Sequence, residues 1–377
     1  ESRGARARIE LLQAKADLPR AIADLRAGVS VGDSTSGMEY ARCLMRGRGV
    51  PVDLAAARRL LAGPCVAGAT PGDLAYFRLL LDFRETAAEA EKGGGRKHFE
   101  FDERVKVCQS TGSAYARGEL ALLMLQVGGK DLAPRIREAI TSLFRSAPLS
   151  FNPAVHVQFG LALFDKRLPV AEPLVEAARS FRRAALLGDP LGYLNWGTSL
   201  VRGFGVERDV DQGILWLSRA SAVGLLRAQT HLGHIYTNSV VYPKHYDLER
   251  AIGYLEIARK GGEPDPFKAL ALELEREERL AAPTRRLFEI AASQGDAEAA
   301  CHYARFLLSG RGGAKDEAGA VAALERVPEG ARTAELCELL GDCYAAGRGV
   351  VADPKAAALW RARAKALPAP APTKAGD

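Results

Sequence analysis

The chain has 377 residues, 47% of them hydrophobic and 26% charged, and 52 basic side chains against 46 acidic ones leave a net charge of +6. These proportions exclude a mainly disordered chain, and no run approaches eighteen uninterrupted apolar residues, so no membrane-spanning segment is expected. The length suits two average domains or one long repeat array, and the small positive excess argues against a nucleic-acid binder, which would concentrate its charge.

In chain order, Glu1 stands first where a Met would be, as expected of a processed, trimmed or tagged chain. Asp17 with Ala21, Leu25, Ala27 and Gly28 reads as the second helix of an eroded unit, so residues 1–32 are expected to be a terminal repeat or capping helices. From residue 33 the pattern sharpens. Residues 37–62 carry a helix, the loop Gly47-Arg48-Gly49-Val50, and Asp53 at the start of the next helix. The basic stretch here, Arg42, Arg46, Arg48, Arg58 and Arg59, has Glu39 and Asp53 beside it and reads as a solubilising surface.

Residues 73–150 diverge, and Lys92-Gly93-Gly94-Gly95-Arg96-Lys97 reads as a flexible loop within them. Around 152–188 a first helix survives, but Asp165-Lys166-Arg167-Leu168-Pro169 replaces the glycine loop. Asp189-Pro190 then opens a helix, with Pro in the first turn where its missing N–H costs nothing. Gly203-Phe204-Gly205 ends that helix, because Gly tolerates left-handed backbone angles. Val206 plugs the gap between helices, Asp209 sits where an N-cap belongs, and Ile214, Leu217 and Ala220 share one face of the next helix. At 263–295 the pattern persists mainly as Leu287–Ala292 before Gly295. Pro368-Ala369-Pro370-Ala371-Pro372 cannot continue a helix, so a disordered tail is expected over 367–377.

Self-similarity organises these elements. The Gly203 loop recurs at Gly47 and Gly347 and, more weakly, at Gly310, and the last two lie 37 residues apart. Gly160, Gly197 and Gly233 are spaced by 37 and 36 residues, and Gly341 belongs to the same series. Trp216 and Trp360 each fall nineteen residues after their glycine. Asp53, Asp209, Asp316 and Asp353 fall at one structural position, which makes them helix caps rather than catalytic carboxylates.

The runs Leu232-Gly233-His234-Ile235-Tyr236 and Gly341–Val350, with Asp353, Ala356 and Trp360 downstream, resemble the Sel-one-like repeat (SLR) family, a relative of the tetratricopeptide repeats. The resemblance is strong at 37–62, 189–260 and 296–366. It implies an all-α fold, an α/α superhelix or solenoid of about nine or ten helix pairs over 33–366. It also implies that first helices line a concave side and second helices the outside.

No strong signal for chemistry emerges. Gly93–Lys97 and Gly128-Gly129-Lys130-Asp131 lack the hydroxyl residue and strand context of a phosphate loop. His231 and His234 lie three apart on a helix with His245 nearby, but a metal needs a third ligand. Two of these histidines occupy positions that vary in the family, which implies that they face solvent. Trp196, Trp216 and Trp360 read as core residues rather than sugar-stacking platforms. Neither enzymatic activity nor a cofactor is expected.

Candidate partner-binding residues are His156, Gln158, Tyr193, Asn195, Gln229, His231 and His234, at variable first-helix positions that supply ring area and hydrogen bonds to a bound peptide. The expected role is a non-catalytic scaffold or adaptor that holds a protein or peptide during assembly of a bacterial complex. A carbohydrate-binding component of polysaccharide export or the cell envelope is the alternative, and an enzyme carried by 73–150 is a third reading. Six cysteines without a CxxC pair point to a reducing, cytoplasmic setting, with the periplasm or secretion left open by the missing native start.

Overall fold

The computed structural model describes residues 17–91, 103–127, 134–145 and 152–367. Residues 1–16, the loop expected at Lys92–Lys97, the run Gly128–Asp131 and the tail 368–377 lie outside the described residues. The described chain is all-α, with nineteen helices and no strand. Helix α1 (Leu18–Ser30) stands first. Nine hairpins follow: α2 (Ser34–Arg46) with α3 (Leu54–Ala62), α4 (Pro71–Glu91) with α5 (Glu103–Thr111), α6 (Ala114–Val127) with α7 (Pro134–Arg145), α8 (Pro153–Phe164) with α9 (Pro173–Leu186), α10 (Pro190–Arg202) with α11 (Val210–Ala222), α12 (Leu226–Thr237) with α13 (Leu248–Lys260), α14 (Pro266–Leu274) with α15 (Ala281–Ser293), α16 (Ala297–Ser309) with α17 (Glu317–Glu325), and α18 (Ala334–Ala346) with α19 (Pro354–Ala366). With α1 as the remnant of a further unit, this is an α/α repeat array of nine to ten units. The chain forms two compact units, 1–216 and 217–377.

The double-glycine loops are the clearest local device. The first glycine of each loop caps its helix in the left-handed region, for example Gly203 at φ +72° and Gly347 at +65°. The second glycine, Gly205 or Gly349, is also left-handed and has an additional reason to lack a side chain. A Cβ on Gly205 would fall 2.0 Å from the Leu174 carbonyl oxygen, and one on Gly349 would fall 2.0 Å from that of Glu317. The loop therefore rests on the first turn of the preceding unit's second helix.

The aspartate after each loop is fixed twice. The Asp53, Asp209, Asp316 and Asp353 side chains accept from the backbone N–H of Ala56, Gln212, Gly319 and Ala356 at 2.8–3.1 Å. Their own N–H groups donate to Leu44, Leu200, Leu307 and Tyr344 carbonyls at 2.9–3.0 Å, nine residues back. Asp247, in a loop two residues longer, repeats both bonds with Arg250 N–H and the Tyr236 carbonyl.

The glycines six residues upstream are packing devices. A Cβ on Gly160 would lie 2.4 Å from the Phe181 ring, and one on Gly233 would lie 2.8 Å from Leu255 Cδ2. In the first unit the core gathers Met45, Leu61, Tyr76, Phe77, Leu120, Phe144, Phe159 and Phe181. In the second it gathers Phe267, Leu287, Phe288, Phe306, Leu336 and Leu340. Each side chain so buried adds about 1.5–3 kcal/mol of hydrophobic stabilisation. Successive first helices also touch one another: α2, α4, α6, α8 and α10 form one row, and α16 packs on α18. The divergent stretch continues the row through α4 and α6.

All six cysteines are buried and unpaired. Burial pushes the Cys43 thiol up to about 11 and those of Cys108 and Cys301 up to about 12. Trp196 is buried, whereas Trp216 and Trp360, expected in the core, are half-buried at its edge.

Candidate binding site on the first-helix row

Two helices of the row, α2 and α6, carry polar residues at helical spacing, and α4 and the cap of α8 contribute one each. Glu39, Arg42 and Arg46 are three and four apart along α2, which places them on one face. Tyr115 and Glu119 are four apart on α6, and Tyr76 stands on α4 between them in the row. Asn152 caps α8, its Oδ1 accepting from the Ala154 N–H at 3.0 Å.

These side chains meet in a buried network. Arg42 forms an ion pair with Glu39 at 2.6 Å and donates to the Tyr115 hydroxyl. The Asn152 amide donates to Glu119 Oε1, and the Tyr76 hydroxyl donates to Glu119 Oε2 at 3.3 Å. Glu39 is fully buried, Glu119 is 2% exposed and Arg42 is 6% exposed. The solubilising surface expected around Arg42 is thus, at its centre, a set of ion pairs beneath the surface. Local pattern misses this because the groups that pair with α2 come from the divergent segment, more than seventy residues away in the case of Tyr115.

Burial disfavours the Arg42 charge, but Glu39, Tyr115, Glu119 and Tyr76 together outweigh it and hold the guanidinium above its ordinary range. Burial, followed by the Arg42 and Glu119 charges acting in opposite directions, leaves the Tyr115 phenol well above its ordinary range, and Tyr76 is raised mainly by burial too. Both phenols therefore keep their protons near neutral pH, Tyr76 donating to Glu119 and Tyr115 accepting from Arg42. The cluster holds permanent charges in place.

Arg46 marks where the network reaches solvent. It is exposed, and its guanidinium lies 3.9 Å from Glu119, at the outer limit of an ion pair. Arg84 stands two turns beyond Tyr76 on α4. It is half-buried, and its Nε is buried without a hydrogen-bond partner.

The sequence-predicted site residues scatter. In the first unit His156 is 5% exposed, which removes it from any contact surface, while Gln158 is exposed. Tyr193 and Asn195 are half-buried, and the Tyr193 ring packs 5.7 Å from that of Trp216. In the second unit Gln229 is 4% exposed and so does not face solvent either. His231 and His234, expected to face solvent, are half-buried. His234 Nε2 lies 3.6 Å from Glu273, and its ring stands edge-on to Tyr242. Among the described residues no three His, Cys, Asp or Glu side chains are placed to hold a metal ion.

The same unit holds a histidine that sequence reading passed over. His302 stacks on Phe288 at 4.8 Å and bonds Glu275 at 2.9 Å. Its i,i+1 position beside Cys301 gave no signal of either contact. An open crevice of about 490 Å³ in the first unit, lined by Leu61, Val66, Pro71, Leu74 and Arg78, is apolar apart from Arg78. Arg78 is already committed to the Leu61 carbonyl at 3.2 Å.

The family model described as Sel1 repeat matches residues 38–62, 190–225, 226–263 and 334–367. These four segments are Sel1 repeats. The matched segments coincide with α2–α3, α10–α11, α12–α13 and α18–α19, and so with the units that retain the most complete repeat signature. A solved Sel1 repeat protein from Oxalobacter formigenes aligns over 69% of this chain and 99% of its own, with 17% identity and a TM-score of 0.37. A second, c5321, is a protective antigen present in uropathogenic Escherichia coli strains and displays an SLR fold. It aligns over 91% of this chain and 86% of its own, with 18% identity and a TM-score of 0.27. A search of curated proteins finds no match. Among the described residues no helix is long and apolar enough to cross a membrane. The Sel1 repeats imply a binding scaffold.

Proposed function

We propose that this protein is a non-catalytic adaptor that holds a protein or peptide partner on its first helices during assembly of a bacterial complex. One observation carries the reading. The first helices α2, α4, α6, α8 and α10 pack in sequence, so side chains of five repeats share one row, and a buried polar network links the first four of them. Such a row presents a preorganised surface, which lowers the ordering cost of binding an extended chain. Exposed aromatics do not favour the sugar-binding alternative: among the described residues these are Phe164 and Tyr246, one in each unit. The six unpaired cysteines support a reducing, cytoplasmic setting.

The test is cross-linking of the full chain to partners captured from source-cell lysate, followed by mass spectrometry. A Tyr193→Ala, His231→Ala, His234→Ala variant runs beside it. Cross-links concentrated on first helices are expected. Cross-links confined to second helices, or none above a control bait, refute the reading. A partner kept by the triple variant moves the contact to α2, α4 and α6.

A further inference from the structure

The connection 63–70 between α3 and α4 is eight residues long, where three join α9 to α10. Glycines and alanines make up half of it, and Cys65 is taken up against α2, where a Cβ on Gly37 would lie 3.1 Å from its Sγ. A connection of the same length, 326–333, is braced by a long side chain: Arg332 donates to the Val327 and Glu325 carbonyls at 3.0 and 3.1 Å and lies over the Trp360 ring. The connection 63–70 has no residue of that length, and the open crevice of about 490 Å³ is left between it, α3, α4 and α5.

Leu61, Val66, Leu74 and Val107 line this crevice, and Arg78 is the charged residue on its wall. Leu74 and Arg78 are four apart on α4 and therefore neighbours on one face. The bond to the Leu61 carbonyl occupies one donor of Arg78 and steadies its guanidinium. Arg78 is otherwise exposed and makes no ion pair among the described residues. The carboxylates nearest to it along α4 are engaged elsewhere. Asp73 accepts from the Ser113 N–H at 2.8 Å, Glu85 pairs with Arg58, and the Asp82 charge acts on Arg58 too.

We propose that the crevice seats the C-terminal residue of a partner chain, its aliphatic side chain among Leu61, Val66, Leu74 and Val107 and its terminal carboxylate on Arg78. Charge complementarity selects this occupant. An exposed cation without a counter-ion, one helical turn from an apolar wall, calls for an anion and an apolar group within the span of one residue. A chain terminus carries both on a single Cα. The planar guanidinium, already held at one corner, suits a carboxylate and needs little further ordering. This site is built from the second helices α3 and α5 with the start of α4, so it goes beyond the first-helix contact and does not depend on it.

Fluorescence anisotropy on the full chain tests this with a fluorescein-labelled Gly-Ser-Gly-Ser-Leu peptide ending in a free carboxylate. Its C-terminal amide, a peptide ending in Gly, and an amidated peptide with an internal Glu-Leu pair run beside it. The free acid should bind, and the amide and the Gly-ended peptide should each bind about tenfold or more weakly, the worth of a charge-assisted hydrogen bond. Arg78→Gln should lower the free acid to the affinity of the amide and leave the amide unchanged. Ala67→Phe, at an exposed position on the crevice wall, should remove binding while the urea midpoint holds. Arg145→Gln, which removes a cation paired with Glu176 outside the crevice, should bind as the unaltered chain does. Equal binding of acid and amide, an Arg78→Gln variant that binds the acid undiminished, or no binding of the acid would each overturn the proposal. So would an internal Glu-Leu peptide that binds as tightly as the free acid, or decanoate that binds more tightly than either.

Discussion

The two glycines of each loop make a differential prediction. Gly203 and Gly205 have nearly the same backbone conformation, φ +72° and +67°. Placing alanine in the left-handed region costs about 1–2 kcal/mol at either position. The surroundings differ. At Gly203 the nearest atom to a new Cβ is Arg208 Cβ at 3.4 Å, an ordinary contact. At Gly205 the new Cβ would lie 2.0 Å from the Leu174 oxygen, 2.2 Å from its carbonyl carbon and 2.6 Å from the Val175 nitrogen. All three are backbone atoms, so no rotamer relieves the clash, and the loop must retreat from α9 by about 1.4 Å to restore that ordinary contact. Overpacking of this kind costs about 1–3 kcal/mol more. Gly203→Ala should therefore lose about 1–2 kcal/mol, and Gly205→Ala about 2–5 kcal/mol. The pair Gly347 and Gly349 should repeat the contrast, because a Cβ on Gly347 meets Ala352 Cβ at 3.3 Å and one on Gly349 meets the Glu317 oxygen at 2.0 Å. Repeat arrays can lose two-state behaviour. Urea unfolding followed by circular dichroism should therefore be paired with hydrogen exchange at the first turns of α9 and α17. Equal losses within both pairs, with unchanged exchange at those turns, would refute the close-approach argument.

Two further outcomes follow from the buried groups. Glu119→Ala should destabilise the first unit by about 3–5 kcal/mol in urea titration, since it strands Asn152 and Tyr76 and deprives Arg42 of a favourable field. Glu119→Gln, which keeps an acceptor, should lose less, and a loss below about 0.5 kcal/mol for Ala would show that the network is solvated. For Cys43, Cys108 and Cys301 the folded-state values of about 11, 12 and 12 lie above the ordinary 9.0, so unfolded thiols release protons first as pH rises. Their contribution is complete below pH 9 and declines between about pH 9 and 12. Chemical denaturation across that window should show falling stability, less steep in a Cys108→Ala, Cys301→Ala variant, and thiol labelling near pH 8 should require unfolding. Rapid labelling of the native protein would contradict the burial.

The fold was legible where local chemistry repeats. Four aspartates in register, glycine pairs at fixed offsets and the glycine six residues before them each impose a local structural event, and each event occurs: the caps form, the loops turn left-handed, and helices close on Gly160 and Gly233. The binding residues were not legible in the same way. Variability at a family position says nothing about how deeply the neighbouring helix covers it, and His156 and Gln229 are covered. Arg42 was unreadable for the complementary reason. Its local neighbours are acidic and basic, as on any solvated face, and only Tyr115 and Glu119, arriving from a segment without repeat signature, convert that face into an interior.

That conversion bears on how the divergent stretch keeps its place in the row. In the regular units apolar packing at repeated glycines sets the spacing between helices. Between α2 and α8, hydrogen bonds cross from one first helix to another: Arg42 to Tyr115, Tyr76 to Glu119, and Asn152 to Glu119. Hydrophobic contacts alone tolerate sliding, whereas each of these bonds has a single partner at a single height. A slip of one turn, about 5.4 Å, would orphan all three, at about 1–3 kcal/mol for each neutral group and more for the ions. The correct stack therefore stands several kcal/mol below its nearest misregistered competitor, although the ion pairs contribute little relative to a well-packed apolar core. In this segment the polar network supplies the register that the lost signature supplies elsewhere.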